Sequence, residues 1–205
     1  VMELTDSFEK FFYEKEDEIE GEIKIITTPF VGSDWLVPHL KSFLKKHPHI
    51  TAKVLLRSDN IELAEGDVAI CRSLPHQPNF IQKPLFSTCI RLFASKEYLK
   101  EFGSPQTLAD LDNHRLITYK GNYSSSYGST NWILNVGRQE FSLPRKSYFE
   151  IDSLHGMINA ALQGFGIVEL PDHSPILRSG LIEVLPGIQG EKIDMYFIFP
   201  EIRKA

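Results

Sequence analysis

The sequence predicts an α/β protein of two lobes, each a sheet with helices against it, joined by two crossover segments. Three observations predict it. Residues 22–71 alternate short β-branched runs with an amphipathic helical stretch. Residues 94–185 repeat that alternation without any repeat at the level of sequence. The length of 205 residues, with 42% apolar and 24% charged side chains, fits one large globular domain or two of about 100 residues.

Residues 5–19 read as a helix, with Asp6 and Glu9 spaced for a capping box and Phe8, Phe11, Phe12 and Ile19 in helical register. Its aromatic stripe is too narrow to bury by itself, so it reads as the end of a longer connecting helix or as a frayed terminus. Glu22–Thr28 alternates as a strand should. Ser33 or Asp34 is then expected to cap a helix carrying Trp35, Leu36, Leu40, Phe43 and Leu44 on one face, ending at His47-Pro48. Thr51–Leu56 is a second strand, Ile61–Ala64 a turn of helix, and Val68–Cys71 a third strand. Short connections between such elements imply a parallel sheet with right-handed crossovers.

Phe80–Phe93, interrupted by Pro84, suits a crossing between lobes better than one continuous strand. Lys96–Glu101 and Thr107–Leu111 read as short helices, and Leu116–Tyr119 as a strand. Lys120–Asn131 is rich in Gly, Ser, Asn and Tyr, a loop composition. Trp132–Val136 and Phe141–Phe149 are expected to be strands joined by a turn at Gly137. Asp152 and Ser153 open a helix through Leu162, which Gly164 and Gly166 stop before the strand Ile167–Leu170. Pro171–Arg178 reads as helical, and Leu181–Leu185 and Lys192–Phe199 as strands, the last returning to the first lobe.

Charge excludes one function class. The net charge is −5, yet the first 20 residues hold eight acidic groups against Lys10 and Lys15, which leaves +1 for the other 185. That is not the basic footprint of a nucleic-acid-binding surface. The longest apolar run, Met195–Phe199, is far short of the roughly 20 residues of a membrane-spanning helix. No signal peptide is visible, and two cysteines make no disulfide framework, so the expected setting is cytoplasmic, with no membrane partner.

Catalytic signatures come up empty: there is no G-x-S-x-G, H-E-x-x-H, C-x-x-C or Walker A loop, so no enzyme, metal or cofactor is expected. His39, His47 and His49 lack a cysteine or carboxylate at ligand spacing and read as solvated residues near a helix end. Cys71 and Cys89 read as buried small hydrophobes before a redox pair. Asn122-Tyr123-Ser124 matches a glycosylation sequon, which one tripeptide does by chance.

Polar groups at strand-to-helix junctions stand out instead. Thr27, Thr28 and Ser33 follow the first strand, Arg72 and Ser73 follow the third, and Asp152 and Ser153 open the helix of the second lobe. Ligands of parallel α/β sheets bind beyond the carboxyl ends of the strands, where helix starts offer free N–H groups. Singly these residues are helix caps; as a set they suggest a clamp for a small ligand.

Several ordered blocks resemble the effector-binding domain of LysR-type transcriptional regulators. They are Gly21-Glu22-Ile23-Lys24-Ile25, TTPFVGSDWLVPHLKSFLKKHPHI (27–50) and EGDVAIC (65–71), then ASKEYLKEFGSPQTLADLDNHRLI (94–117), INAALQGFGIVELP (158–171) and SGLIEVLPG (179–187). The resemblance implies a type 2 periplasmic-binding-protein-like fold, with 21–86 and 190–205 in lobe I, 87–189 in lobe II and 1–20 as the end of a linker helix. It implies a small effector between the lobes, and the groups at strand ends and helix starts lead us to expect a polar or anionic one touching Thr27, Thr28, Ser33, Arg72, Ser73, Tyr119 and Ser153, unless Arg72 pairs with Asp67 instead. It further implies a homodimer or homotetramer, pairing through the Leu36–Leu44 and Ile158–Leu162 helices, and DNA contact only through a winged helix-turn-helix ahead of residue 1. The W-L-V-P wording is most similar to members controlling amino-acid metabolism and β-lactamase expression, which points to an amino-acid-like or cell-wall-derived effector.

Three departures from the family pattern stand out. Cys71 occupies a position where arginine is common, Arg57–Ala64 is short, and little follows Phe199 where a last helix is usual. Two other classes share the two-lobe fold: solute-binding proteins of transporters, which need an export signal, and enzymes such as deaminases or prephenate dehydratase-like proteins. The latter need convergent acid, base or metal groups.

Overall fold

The computed structural model describes residues 20–58, 61–121, 131–139, 142–172 and 180–201. The expected helix 5–19, the sequon at Asn122 and most of the Lys120–Asn131 loop lie outside them, as does most of the expected helix at Pro171–Arg178. The chain divides into two compact units, Val1–Ser87 with Asp194–Ala205, and Thr88–Ile193.

In the first unit β1 (Gly21–Thr27) runs parallel to β2 (Ile50–Leu56) and β3 (Val68–Arg72), with Ile25 opposite Val54 and Val68. The returning strand β9 (Lys192–Pro200) lies antiparallel on β3, with Ile70 opposite Phe197. Ile23, Ile25, Ile26, Ile70 and Phe197 are buried, the near-continuous apolar runs expected of strands covered on both faces.

The helix after β1 begins earlier than the Ser33 or Asp34 cap expected from sequence. Residues 29 and 30 are already helical, because Pro29 presets φ and needs no N–H in the first turn. Thr28 makes the start instead: its Oγ1 accepts the Val31 N–H at 3.4 Å and its carbonyl accepts the Gly32 N–H at 2.8 Å. A π-helical turn, Val31–Leu36, follows and leads into α1 (Val37–Lys46). Pro38 explains the π turn, since a proline here removes one N–H and crowds the carbonyl four residues back. The Val37 N–H reaches Gly32 O, five residues back, and absorbs the misfit. Phe30, Leu36, Leu40 and Phe43 seat the helix in the core.

β4 (Phe80–Ser95) is one continuous strand of 16 residues, contrary to the interruption expected at Pro84. Proline's fixed φ is compatible with extended backbone and only its missing N–H is a cost, so the strand carries on through it. The division between units falls within it, after Ser87.

In the second unit β4 lies between β7 (Ile167–Pro171) and β8 (Leu181–Val184), antiparallel to both. β5 (Leu116–Tyr119) runs parallel to β7 and to β6 (Phe149–Ile151). α2 (Lys96–Phe102) is capped by Ser95 Oγ, which accepts the Tyr98 N–H at 3.2 Å, and it stops at Gly103, whose φ is +81°. α3 (Leu154–Leu162) is capped by Ser153, as expected. Leu92, Tyr98, Leu111, Leu116, Ile133 and Ile167 form the core.

Trp132–Val136 is not a strand. Trp132–Leu134 is a single 3-10 turn, and among the described residues of the expected strand Phe141–Phe149 only Phe149 is extended in a sheet, opening β6. Two buried charged side chains account for this. The Glu169 carboxylate accepts the N–H of Asn131 at 2.6 Å and of Ile133 at 2.7 Å. Arg145 donates to the carbonyls of Ile133, Val136 and Leu108 at 3.1, 2.7 and 2.9 Å. Backbone groups that a sheet ladder would pair are satisfied by side chains from elsewhere in the chain.

Candidate functional site

At the carboxyl end of β1, Thr27 and Thr28 are fully buried. Thr27 Oγ1 donates to Ile70 O at 2.7 Å and so ties β1 to β3, while its carbonyl accepts the Arg57 N–H at 2.9 Å. Thr28 Oγ1 accepts the Val31 N–H, which leaves its own O–H to donate. Thr27 stands opposite Ile70, and Arg72, half-buried, ends β3 two residues on. Ser73 is exposed and donates to Gln82 Oε1 at 3.2 Å, and the same amide side chain closes the turn on Leu74 N and O. Ser33 is exposed on the π turn. Asp67, the alternative partner considered for Arg72, accepts the Lys24 N–H at 2.7 Å.

In the second unit Tyr119 and Ser153 come together. The Tyr119 hydroxyl donates to Asp152 O at 2.9 Å, and Ser153 Oγ accepts the Gly156 N–H at 3.1 Å, leaving its O–H to donate. Asn131, in the left-handed conformation, grips Tyr119 from the other side: its amide oxygen accepts the Tyr119 N–H at 2.8 Å and its amide nitrogen donates to Tyr119 O at 2.9 Å.

Sequence reasoning missed Asn131, Glu169 and Asp172. Asp172, just past β7, accepts from Thr88 Oγ1 at 2.8 Å, Cys89 N at 3.1 Å and Arg91 Nε at 3.2 Å. Those bonds hold its carboxyl below the usual range against the opposing effect of burial. Burial pushes the Glu169 carboxyl up to about 7, opposed by the backbone N–H groups of Ile133, Asn131 and Trp132. No sequence signal marked Glu169: it stands inside the apolar run IVELP, where alternation made it one more strand residue.

The other candidates have local roles. His39 Nδ1 lies 2.5 Å from Trp35 O with its ring stacked on Trp35, and the His47 ring packs on Phe43. Cys71 is buried, which pushes its thiol up to about 12 and makes it a poor nucleophile, and Cys89 is also a free thiol. Among the described residues no three His, Cys, Asp or Glu side chains gather as metal ligands, and no helix is long and apolar enough to cross a membrane.

Residues 16–204 match the family described as the LysR substrate binding domain. Among curated proteins, the chain is 27% identical over 190 residues to an HTH-type transcriptional regulator of Haemophilus influenzae, covering 90% of this chain and 65% of that one. It is 27% identical over 218 residues to the HTH-type transcriptional regulator YhjC of Escherichia coli, covering 100% of this chain and 69% of that one. The chain thus spans about two thirds of the length of these relatives.

Among solved structures, the regulatory domain of CrgA, a LysR-type transcriptional regulator from Neisseria meningitidis, superposes with a TM-score of 0.72 at 20% identity, over 89% of this chain and 90% of that one. The regulatory domain of AphB from Vibrio vulnificus does so at 0.69 and 22%, over 92% of each. The fold is therefore the type 2 periplasmic-binding-protein-like α/β architecture. The chain belongs to the LysR substrate-binding domain family, the regulatory, effector-binding domain of LysR-type transcriptional regulators.

Proposed function

We propose that the chain senses a small polar or anionic effector within a LysR-type DNA-binding transcription factor. The observation that carries this reading is the pair of strand-to-helix junctions at Thr28 and Ser153. Each hydroxyl accepts a backbone N–H and keeps its own O–H as a donor beside a helix start, where negative charge is favoured. Arg72, at the end of β3, supplies a guanidinium that can grip a carboxylate with two parallel hydrogen bonds. Ser33, Ser73 and Tyr119 complete the contact set, while Thr27 orients the strand end. DNA contact belongs to a winged helix-turn-helix outside this chain, as the names of the relatives support. The assembly is a homodimer or homotetramer in the cytoplasm, and the activity is regulatory and not enzymatic.

A thermal-shift screen of amino acids, small carboxylates and muropeptides tests the reading, since a ligand that binds only the folded state raises the melting temperature. With a hit in hand, Arg72→Ala and Ser153→Ala are each expected to weaken binding about ten- to a hundredfold by calorimetry. Unchanged affinity in both variants, with folding intact, places the ligand elsewhere.

A further inference from the structure

A concavity lies within the second unit, at the amino end of its parallel strands. Tyr119 and Ser153 stand at or beyond the carboxyl ends of β5 and β6; Arg115 and Tyr148 immediately precede those strands. Here a pocket of about 440 Å³ opens, lined by Asp112, Arg115, Arg138, Arg145, Lys146 and Tyr148 among others. Four of those six side chains are cationic and one is anionic, whereas residues 21–205 as a whole carry a net charge of only +1. So local a surplus of positive charge calls for an explanation.

Folding accounts for part of it. Asp112 accepts from Arg145 Nε at 2.6 Å and from Arg138 Nη1 at 2.9 Å, and Arg145 is the buried pin of the 3-10 turn. One carboxylate shared by two guanidiniums leaves the pair with surplus positive charge, and the buried Arg138 Nε has no partner among the described residues. Arg115 and Lys146 have no carboxylate partner among them either.

Arg115 is nonetheless held in place. Its guanidinium sits over the rings of Phe102 at 4.5 Å and Tyr148 at 4.7 Å, so its faces are covered by aromatic rings and its N–H edge is left to donate. The Arg115 backbone N–H donates to the Tyr98 hydroxyl at 2.9 Å, and that hydroxyl lies 3.1 Å from His114 Nδ1. A pre-positioned guanidinium edge beside a mobile ammonium suits an oxyanion, because the entropy of ordering the main donor is already lost on folding.

We propose that this pocket is a binding site for a small anion bearing two or more oxyanionic groups, carboxylate or phosphate, gripped by Arg115 and Lys146 over a floor made positive by Arg138 and Arg145. Binding there bridges the 3-10 segment Leu108–Asn113, the start of β5 and the segment 142–148, so it stiffens the second unit independently of the Ser153 junction. The site does not rest on the effector reading above.

The test is amide NMR titration of the 205-residue chain with citrate and, separately, with inorganic pyrophosphate, against sodium chloride at matched ionic strength. Saturable shifts at Arg115, Leu116, Lys146, Ser147 and Tyr148 are expected, and whichever probe binds tighter separates a polycarboxylate from a phosphoryl ligand. Arg115→Gln is expected to weaken binding about tenfold and the exposed Lys146→Gln severalfold, while Ser153→Ala leaves it unchanged. Lys146→Gln keeps the test decisive if Arg115→Gln impairs folding. Absence of saturable shifts with both probes, shifts that chloride reproduces, or affinity untouched by Lys146→Gln overturns the proposal.

Discussion

Glu169 and Arg145 face the same short turn from opposite ends, the carboxylate on the N–H groups of Asn131 and Ile133 and the guanidinium on the carbonyls of Ile133 and Val136. Each sign of charge meets the complementary end of the turn's peptide dipoles. Arg145 makes four bonds at three nitrogens, a fork that an ammonium does not reproduce. Arg145→Lys is therefore expected to destabilise the fold by about 2–4 kcal/mol in urea denaturation, because buried carbonyls lose their donors. Glu169 adds a pH dependence. Its folded value of about 7 lies above the ordinary carboxyl value of 4.5, so folding favours the neutral acid. That contribution is full below about 4.5 and is lost as pH rises through about 7. The stability of the wild type relative to Glu169→Gln should fall between about pH 4.5 and about pH 7, by at most about 3 kcal/mol. A difference that is flat or grows with pH sinks this account.

Among the elements, those with a local cause were legible. α2 and α3 carry serine caps in sequence, the runs of β1, β3 and β7 are apolar enough for strands covered on both faces, and each formed within a residue or two of expectation. The π turn before α1 was not legible, since the Ser33 or Asp34 cap signal says nothing of the i→i−5 bond that the Val37 N–H makes to Gly32 O ahead of Pro38. Gly166 shows how closely the turn before β7 packs: a Cβ there would lie 2.3 Å from Arg115 O. Gly103 has open space around it but a φ of +81°. Gly166→Ala should thus cost about 1–3 kcal/mol by displacing backbone, and Gly103→Ala about 1 kcal/mol from backbone strain alone. Thermal melts of the two variants give the order.

For the whole molecule, the exposed apolar positions of α1 and β2 bear on assembly. Val37 is 56% exposed and Leu56 41%. A homodimer or homotetramer joined through α1, as proposed above, would cover Val37. Sedimentation of the chain at high protein concentration should then show self-association that Val37→Glu weakens or abolishes, because an unpaired charge would be buried in the contact. A strictly monomeric wild type counts against the pairing.

The sequence by itself determined the family, the alternation of strands and helices, and the place of Arg72 and Ser153 at strand and helix ends, because hydrophobic period, caps and ordered motifs are properties of neighbouring residues. Only the tertiary structure decided what became of 131–148. The N–H groups of Asn131 and Ile133 are satisfied by Glu169, 36 residues beyond Ile133, and Arg145, which takes the carbonyls of Ile133 and Val136, is itself anchored on Leu108 O, 37 residues back; no local pattern announces partners at that distance. The same holds for the basic pocket. Arg115, Arg138 and Lys146 are scattered in sequence and become one surface only when β5 and β6 pair, since charge acts through space and not along the chain.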